Sequence, residues 1–545
     1  MMRGCVPICM VVALAFAPAV AQSVPQSHPA NVPAAGVYRI AGTVVNAATG
    51  LPLQGAVVAV LTVRDSHTVA TTTSDSEGRF AFERLAAAKY ALTASKRGYR
   101  AAFYDEHEGF NTAIVTGPDQ DTEHLRFQLS PDAVLHGVVT SDGVDPEEGA
   151  RVMLFRRPRL HGPNQHTTMV ESGLTDDIGA YEFDNLAPGD YLIAVAAQPW
   201  YALHKASGAA SDANNAMLDV AYPITFFDST TEEASATPIT VTGGSREEAN
   251  ITLHAVPALR ISVPFERRAD GNVARPELRQ FVFGLDVGAE SAGFLDELKS
   301  GTVEFNGVAP GHYELSERDP PRIVELDATA SEMIDPNAGQ PSVPVSGTLR
   351  MPSGTALLGQ THLVLNPVNG TRGHPEMATA GPDGHFSFQA IAPGTWELVA
   401  GTEGATLPVR SIESGGSVYE GSLLTVRDRA LDIVATVSKG ATSIEGYARK
   451  DGKGFAGALV MLVPKNMALL ELLSRRDQSD SDGSFALGQV VPGKYTIVAI
   501  EGGWELDWSE PQVMDRYLSK GTSVTVTDNS AEVVNLGGPV TVQPR

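Results

Sequence analysis

An alternation of apolar and polar positions returns five times along this chain. In the last copy Phe485 and Leu487 alternate with Ser484 and Ala486, the period-two signature of a strand with one face in a core. Phe80/Phe82, Tyr181/Phe183, Val303/Phe305 and Phe386/Phe388 repeat it. A glycine precedes each pair (Gly78, Gly179, Gly301, Gly384, Gly483), usually after acidic or small residues, as a tight hairpin turn requires. An aromatic follows each glycine by twelve residues: Tyr90, Tyr191, Tyr313, Trp396 and Tyr495. It leads a second alternating strand with Leu92, Ile193, Leu315, Leu398 and Ile497. Pro188-Gly189, Pro310-Gly311, Pro393-Gly394 and Pro492-Gly493 mark the turn between the two strands, and Ala87-Ala88 stands there in the first copy. The pattern predicts strand, turn, strand, with the rings as interior wedges between two sheets. Burying each of these side chains stabilises by roughly 1.5–3 kcal/mol.

Upstream of each hairpin lies a similar opening: Ile40-Ala41-Gly42, Leu135-His136-Gly137, Val345-Ser346-Gly347 and Ile444-Glu445-Gly446. The third copy has Leu259-Arg260-Ile261 and is the most divergent. Between repeats the chain is expected to return through one more apolar strand, at Leu125 to Leu129, Ile251 to Leu253, Leu431 to Val437 and Val524 to Val526. About seven short strands in about 100 residues is the count of a β-sandwich, not of a helix bundle or βαβ unit. The fold class is therefore all-β, a tandem array of about five seven-stranded modules. Their expected bounds are 37–131, 132–257, 258–342, 343–440 and 441–545. The second module carries a low-complexity loop at Ser207 to Met217. The fifth carries two short helices, at Asn466 to Arg476 (Met467, Leu470 and Leu473 on one face) and Gln512 to Ser519 (Val513, Tyr517, Leu518).

The N-terminus changes the picture. Arg3, the apolar run Val11 to Phe16 and the small residues Ala19-Val20-Ala21 before Gln22 read as a signal peptide over 1–21. A Pro/Ala-rich linker, 22–36, follows it. Cys5 and Cys9, the two cysteines, lie inside the signal, so the mature chain is expected to hold no thiol or disulfide. The expected location is exported: periplasmic, cell-surface or extracellular, with no later stretch apolar enough to span a membrane. Lys plus Arg at 40 against Asp plus Glu at 64 gives a net charge of −24, which argues against nucleic acid and anionic membranes as partners. Gly at 53 and Pro at 35 suit many short strands joined by tight turns.

The opening I-x-G-x-V, the segment from Gly50 to Val57 (G-x-P-L-x-G-A-x-V in its pattern), D-G-x-F-x-F and L-x-P-G-x-Y-x-L together resemble the carboxypeptidase regulatory-like domain. The resemblance is clear in modules one, two and five, good in four and weak in three. It implies a transthyretin-like β-sandwich, also grouped with carbohydrate-binding-like folds, in a tandem protein of bacteria. It implies no catalytic residues, because the domain is an accessory module.

The residues that carry common chemistry fit that implication. No His is followed by Glu at +3, and H-E-x-x-H, G-x-S-x-G and Ser-x-x-Lys frames are missing, so zinc-peptidase and common serine nucleophile sites have no carrier. His161 and His166, with His204 further on, sit in or near a polar loop that reads as ordinary surface. The Asp480/Asp482 and Asp75/Glu77 pairs fit turn chemistry better than calcium, which needs six or more oxygens. No catalytic residue, metal or cofactor is therefore assigned. Trp396 occupies the core aromatic position. Trp200, Tyr201, Trp504 and Trp508 follow the second repeat strand where a loop begins, and are the candidate ligand-binding residues. Exposed aromatic faces stack on sugars or anchor protein partners, and the competing reading is that they seal a module against its neighbour.

The expectation is an exported, non-catalytic, monomeric array that acts as a cell-envelope scaffold or spacer, with an envelope protein or glycan as partner. Carbohydrate binding through the loop aromatics is the alternative, and an accessory part of a peptidase or unrecognised hydrolase is the second alternative.

Overall fold

The computed structural model describes residues 36–157, 167–204, 217–264, 276–287, 294–298, 302–318, 321–335, 338–351, 360–368, 371, 375–402, 405–438, 442–527 and 533–545. The signal peptide, the linker up to residue 35, Gly301, His161, His166 and the loop at 207–216 lie outside them.

Nearly every element is a strand, and the strands form five successive layered β units that share one opening arrangement. The opening strand lies between the hairpin strand, antiparallel to it, and a returning strand, parallel to it. In the first unit these are Tyr38–Asn46, Arg79–Leu85 and Leu125–Leu129. The facing sheet orders Thr68–Thr73, Val57–Thr62, Lys89–Lys96 and Tyr99–Phe103. The same opening arrangement recurs at Ala133–Ser141, Leu259–Pro264, Val343–Arg350 and Thr442–Lys450. Each unit encloses its own apolar cluster.

Both repeated glycines have a steric reason. A Cβ on the opening glycine would meet a carbonyl oxygen of the returning segment, at 2.3 Å for Gly42 and Leu125 O and at 2.2 Å for Gly347 and Ile433 O. The hairpin glycines Gly78, Gly179, Gly384 and Gly483 have φ between 72° and 83°, and a Cβ there would also strike the opening strand's backbone.

The core aromatic carries the second constraint. Its ring is buried in all five units: Tyr90 is 5% exposed, Tyr191 1%, Tyr313 0%, Trp396 1% and Tyr495 2%. Its polar atom always turns back to the carbonyl four residues earlier. Tyr191 Oη donates to Ala187 O at 2.7 Å, Tyr313 Oη to Ala309 O at 2.9 Å, Tyr495 Oη to Val491 O at 2.9 Å and Tyr90 Oη to Ala86 O at 3.2 Å. In the fourth unit Trp396 Nε1 makes the same bond to Ala392 O at 2.9 Å. Tyr and Trp both combine a large apolar ring with one donor, and Phe has no donor.

The fifth unit departs from expectation in three places. Val524 to Val526 is not its returning strand. Thr522–Val526 instead pairs antiparallel with Gly493–Glu501 in the other sheet, and the return is made by Val533–Asn535 and Val540–Pro544. Val540–Pro544 also runs parallel to Gly493–Glu501, so it joins both layers into one nine-stranded sheet. The first predicted helix stops early: a 3-10 turn at Met467–Leu469 and a helix at Leu470–Leu473 give way to a strand, Arg475–Gln478. Arg475 donates to Leu472 O and Ser474 O at that helix end, satisfying carbonyls that a longer helix would have used internally. The second helix, Pro511–Leu518, starts one residue early, because proline suits the first helical position.

In the fifth unit, Tyr495→Phe removes one buried hydrogen bond and leaves Val491 O without it, an expected cost of about 1–3 kcal/mol. Tyr495→Ala or Phe485→Ala opens a cavity instead, at about 3–5 kcal/mol. Denaturant midpoints of the full chain measure both, and equal midpoints for the Phe and Ala variants at 495 would refute the separation of ring from hydroxyl.

Candidate functional site: the seam between the first and fifth units

The first unit contributes the segment after its strand Tyr99–Phe103. Glu108 and Gly109 have φ of 50° and 86°, the two positive values that a tight two-residue turn requires. His107 and Phe110 flank this turn and exchange backbone hydrogen bonds of 2.8 and 2.9 Å. The fifth unit contributes its edge strand Arg475–Gln478, the turn that follows, and the 3-10 turn Gly503–Glu505. Pairing with Leu459–Leu462 satisfies one side of that edge strand. The first unit covers residues at its far end, as an open edge demands.

The contact has an aromatic half and a polar half. His107 stacks on Trp504 with ring centroids 5.7 Å apart and planes 10° from parallel, and Phe110 lies 5.2 Å from the same indole. The Arg476 guanidinium sits 4.2 Å from the Trp508 ring centroid and 5.6 Å from that of Phe110, and pairs with Glu108 at 2.5 Å. Cation–π contacts of this kind are worth about 0.5–2 kcal/mol each. In the polar half, Gln478 Nε2 lies 2.7 Å from Thr112 Oγ1, and Thr112 donates to Asp105 Oδ2 at 2.8 Å. Ser481 N donates to Ala113 O at 2.9 Å, and Val115 N to Ser481 Oγ at 2.8 Å. Gly457 makes room for this, since a Cβ there would lie 2.6 Å from Asp105 Oδ2.

Asp480 shows how a turn residue has been reassigned. In the first two units the acid three before the hairpin glycine caps its own turn: Asp75 Oδ1 accepts from Glu77 N and Arg79 N, and Asp176 Oδ1 from Ile178 N and Ala180 N. Asp480 holds that position in the fifth unit and keeps a contact with its own turn, from Ser484 Oγ at 3.2 Å, but its carboxylate also bonds Lys89 Nζ at 2.7 Å and Ala113 N at 3.0 Å, both in the first unit. Asp482 takes over the local cap through Ser484 N at 2.9 Å. These acids serve turns and the seam. Among the described residues no group of three or more His, Cys, Asp or Glu is placed to hold a metal. His204 pairs with Asp219 at 2.9 Å at the junction of the second and third units, where Arg260 also reaches Asp219.

The four candidate aromatics therefore part company. Trp504 and Trp508 are 7% and 8% exposed, so their faces are covered: Trp504 by the first unit and Arg476, Trp508 by Arg476 and the Met514 and Tyr517 face of the last helix. The expectation of two free rings there does not hold. Trp200 is 86% exposed, with Tyr201 edge-on at 5.7 Å and 87°. Trp200 and Trp504 occupy the same position, nine residues after the core aromatic, and Tyr99 holds it in the first unit. Tyr99 bridges to Pro131 at the next boundary and Trp504 meets the first unit, while Trp200 lies open. The sequence singled out Trp504 but gave no sign of Asp105, His107, Thr112 or Gln478.

Asp477, next to Gln478, accepts from Ala486 N and Gln478 N, yet burial pushes its carboxyl up to about 6. A folded-state value above the unfolded one means that the folded chain holds the extra proton between about 4 and about 6, so this group's contribution to stability falls as pH rises through that window. Asp477→Asn removes the effect. Its stability relative to the parent is expected to climb from pH about 4 to about 6 and then level, read from denaturant midpoints across that range. A difference that stays flat would count against it.

Residues 39–130 match the family model described as the carboxypeptidase regulatory-like domain. No curated protein matches the chain. Among solved structures, the Bacillus anthracis TIE protein aligns over 90% of this chain and 68% of its own, at 8% identity and a TM-score of 0.16. The minor pilin of Streptococcus agalactiae aligns over 40% of this chain and 97% of its own, at 14% identity and a TM-score of 0.20. A streptococcal ancillary pilin aligns over 53% of this chain and 100% of its own, at 9% identity and a TM-score of 0.19. The first unit, over residues 39–130, is thus similar to the carboxypeptidase regulatory-like domain, within a tandem array of β-sandwich units.

Proposed function

We propose that this chain is an exported, non-catalytic array whose first and last modules close on each other to make an interaction scaffold at the cell envelope. The carrying observation is the seam, which joins side chains 366 positions apart, such as Thr112 and Gln478. A spacer holds its ends apart, and a chain whose first module lies on its last is better suited to presenting rims at fixed separations. Several weak contacts on such a frame add through avidity. The match of residues 39–130 to an accessory type of domain supports a role without turnover. Cell fractionation is expected to recover the chain outside the cytoplasm, beginning at Gln22, and in-cell cross-linking to join it to one envelope protein in fixed proportion. The Arg476→Ala/Trp504→Ala double variant is expected to lengthen the particle in solution scattering and to lose that cross-link. Recovery in the cytoplasm with residues 1–21 attached would overturn the reading.

The exposure of Trp200, with Tyr201 set edge-on beside it, favours carbohydrate binding as a second reading. Glycan-array binding is then expected to vanish in Trp200→Ala and persist in Trp504→Ala. A parent chain that binds no glycan removes this reading.

A further inference from the structure

The rim of the fifth unit that receives the first has a counterpart in the second unit. Gln478 lies in register with Leu459 and Ile500 across three strands, and Leu174 lies in register with Arg151 and Ala196. The turn that carries Trp504 closes by a bond from Leu506 N to Gly503 O at 3.0 Å. The turn that carries Trp200 closes in the same way, from Ala202 N to Pro199 O at 2.9 Å. In the fifth unit both positions touch one residue of the arriving module: His107 stacks on Trp504, and its Nδ1 lies 3.0 Å from Gln478 Oε1. Leu174 and Trp200 hold those two positions in the second unit.

The chemistry of the two rims differs. Leu174 stands where Gln478 does, Ile178 where Asp482 does, and Ser172 where Arg476 does. Asp176, in the place of Asp480, turns its Oδ1 to Ile178 N and Ala180 N of its own turn. The exposed side chains here are large and apolar: Trp200 is 86% exposed, Leu174 69% and Ile178 63%. One such side chain in water is ordinary. Three at positions that elsewhere in the same chain make a module contact mark an interface.

We propose that this rim docks on the same rim of a second copy of the chain, the two copies related by a two-fold axis. The fifth unit shows that a rim so placed accepts a β-sandwich module. A loop like that of the first unit does not fit the second, because its Glu108 and Thr112 would meet Ser172 and Leu174 in place of Arg476 and Gln478. Trp200, Leu174 and Ile178 need no opposite charge, so the rim can meet itself, as a two-fold contact requires. Asp177, exposed beside Ile178, and the net charge of −24 oppose the approach of a second copy. Salt screens that repulsion, so pairing tightens as salt rises. The inference takes the seam as its template and goes beyond the scaffold reading, since it needs neither export nor an envelope partner.

Sedimentation velocity of the purified full chain at physiological salt tests it. The expected species has the mass of two chains and gains on the single chain as concentration or salt rises. Trp200→Ala and Leu174→Glu are each expected to weaken pairing by about tenfold or more. Val418→Ser, which alters a side chain of the fourth unit that is 65% exposed, is expected to leave pairing unchanged. All three side chains lie at the surface, so the variants keep the fold. A parent that sediments as a single chain at every concentration overturns the proposal. So does pairing that survives either of the first two substitutions or is lost in the third, and so does growth past two copies, which a head-to-tail contact would give. A single chain that binds glycan through Trp200 would keep the carbohydrate reading and end this one. Pairing in a chain recovered from the cytoplasm would remove the scaffold reading alone.

Discussion

Each module is organised by a ring that must be buried and a polar atom on that ring that must not be left alone. Tyr90, Tyr191, Tyr313, Trp396 and Tyr495 fill the space between the sheets and reach back to the carbonyl four residues earlier. That single bond ties the core to the turn leading into the second repeat strand. The constraint explains a substitution that apolarity alone would not. Trp396 replaces tyrosine in the fourth unit and keeps the bond through its indole N–H, whereas phenylalanine, equally apolar, appears at this position in no copy. Burial also pushes the Tyr495 phenol up to about 12, so the donor keeps its proton at neutral pH.

With every unit built this way, the differences between units become informative. The fifth unit adds a helical turn and a last helix, and both pack on Trp508, which Arg476 of the edge strand also covers. The last helix rests on the outer face of the sheet beside Met461, Val498 and Ile500, which would otherwise be an exposed apolar surface. The edge strand presents Gln478 and Asp480 to the first unit, which meets them with Thr112, Asp105 and Lys89. The edge strand and the turn after it thus give the fifth module a contact surface for the first.

Most of this architecture was legible in the sequence, because strand alternation, turn glycines and the fixed aromatic spacing are local signals. The opening and hairpin strands, the returning strands of the first, second and fourth units, and the burial of Trp396 followed from them. The return in the fifth unit did not, since Thr522–Val526 holds the place of Ile114–Val115, Ile239–Val241 and Leu423–Val426, which pair with the second repeat strand in their units, and the returning strand comes later. The seam was illegible for a different reason. Asp105, Thr112 and Gln478 are ordinary polar residues in their own stretches, and only the fold brings them within hydrogen-bonding distance across more than 360 positions. The aromatic character of Trp504 was visible, but which surface it faces depends on whether another module arrives, as its exposed counterpart Trp200 shows.

Asp480 carries the strongest sign that the first and fifth modules are built for each other. A capping acid normally satisfies its own turn, and Asp75 and Asp176 do so in the corresponding position. Asp480 is buried enough that its carboxyl is held above the usual range, a cost that makes sense only if Lys89 and the Ala113 amide are there to meet the charge. Were the two modules apart, the same carboxylate would return to water and Asp482 would still cap the turn. The polar composition of the seam then follows. A docking made of paired charges and hydrogen bonds is specific for one partner surface, because a misplaced surface leaves each of these groups desolvated and unmatched.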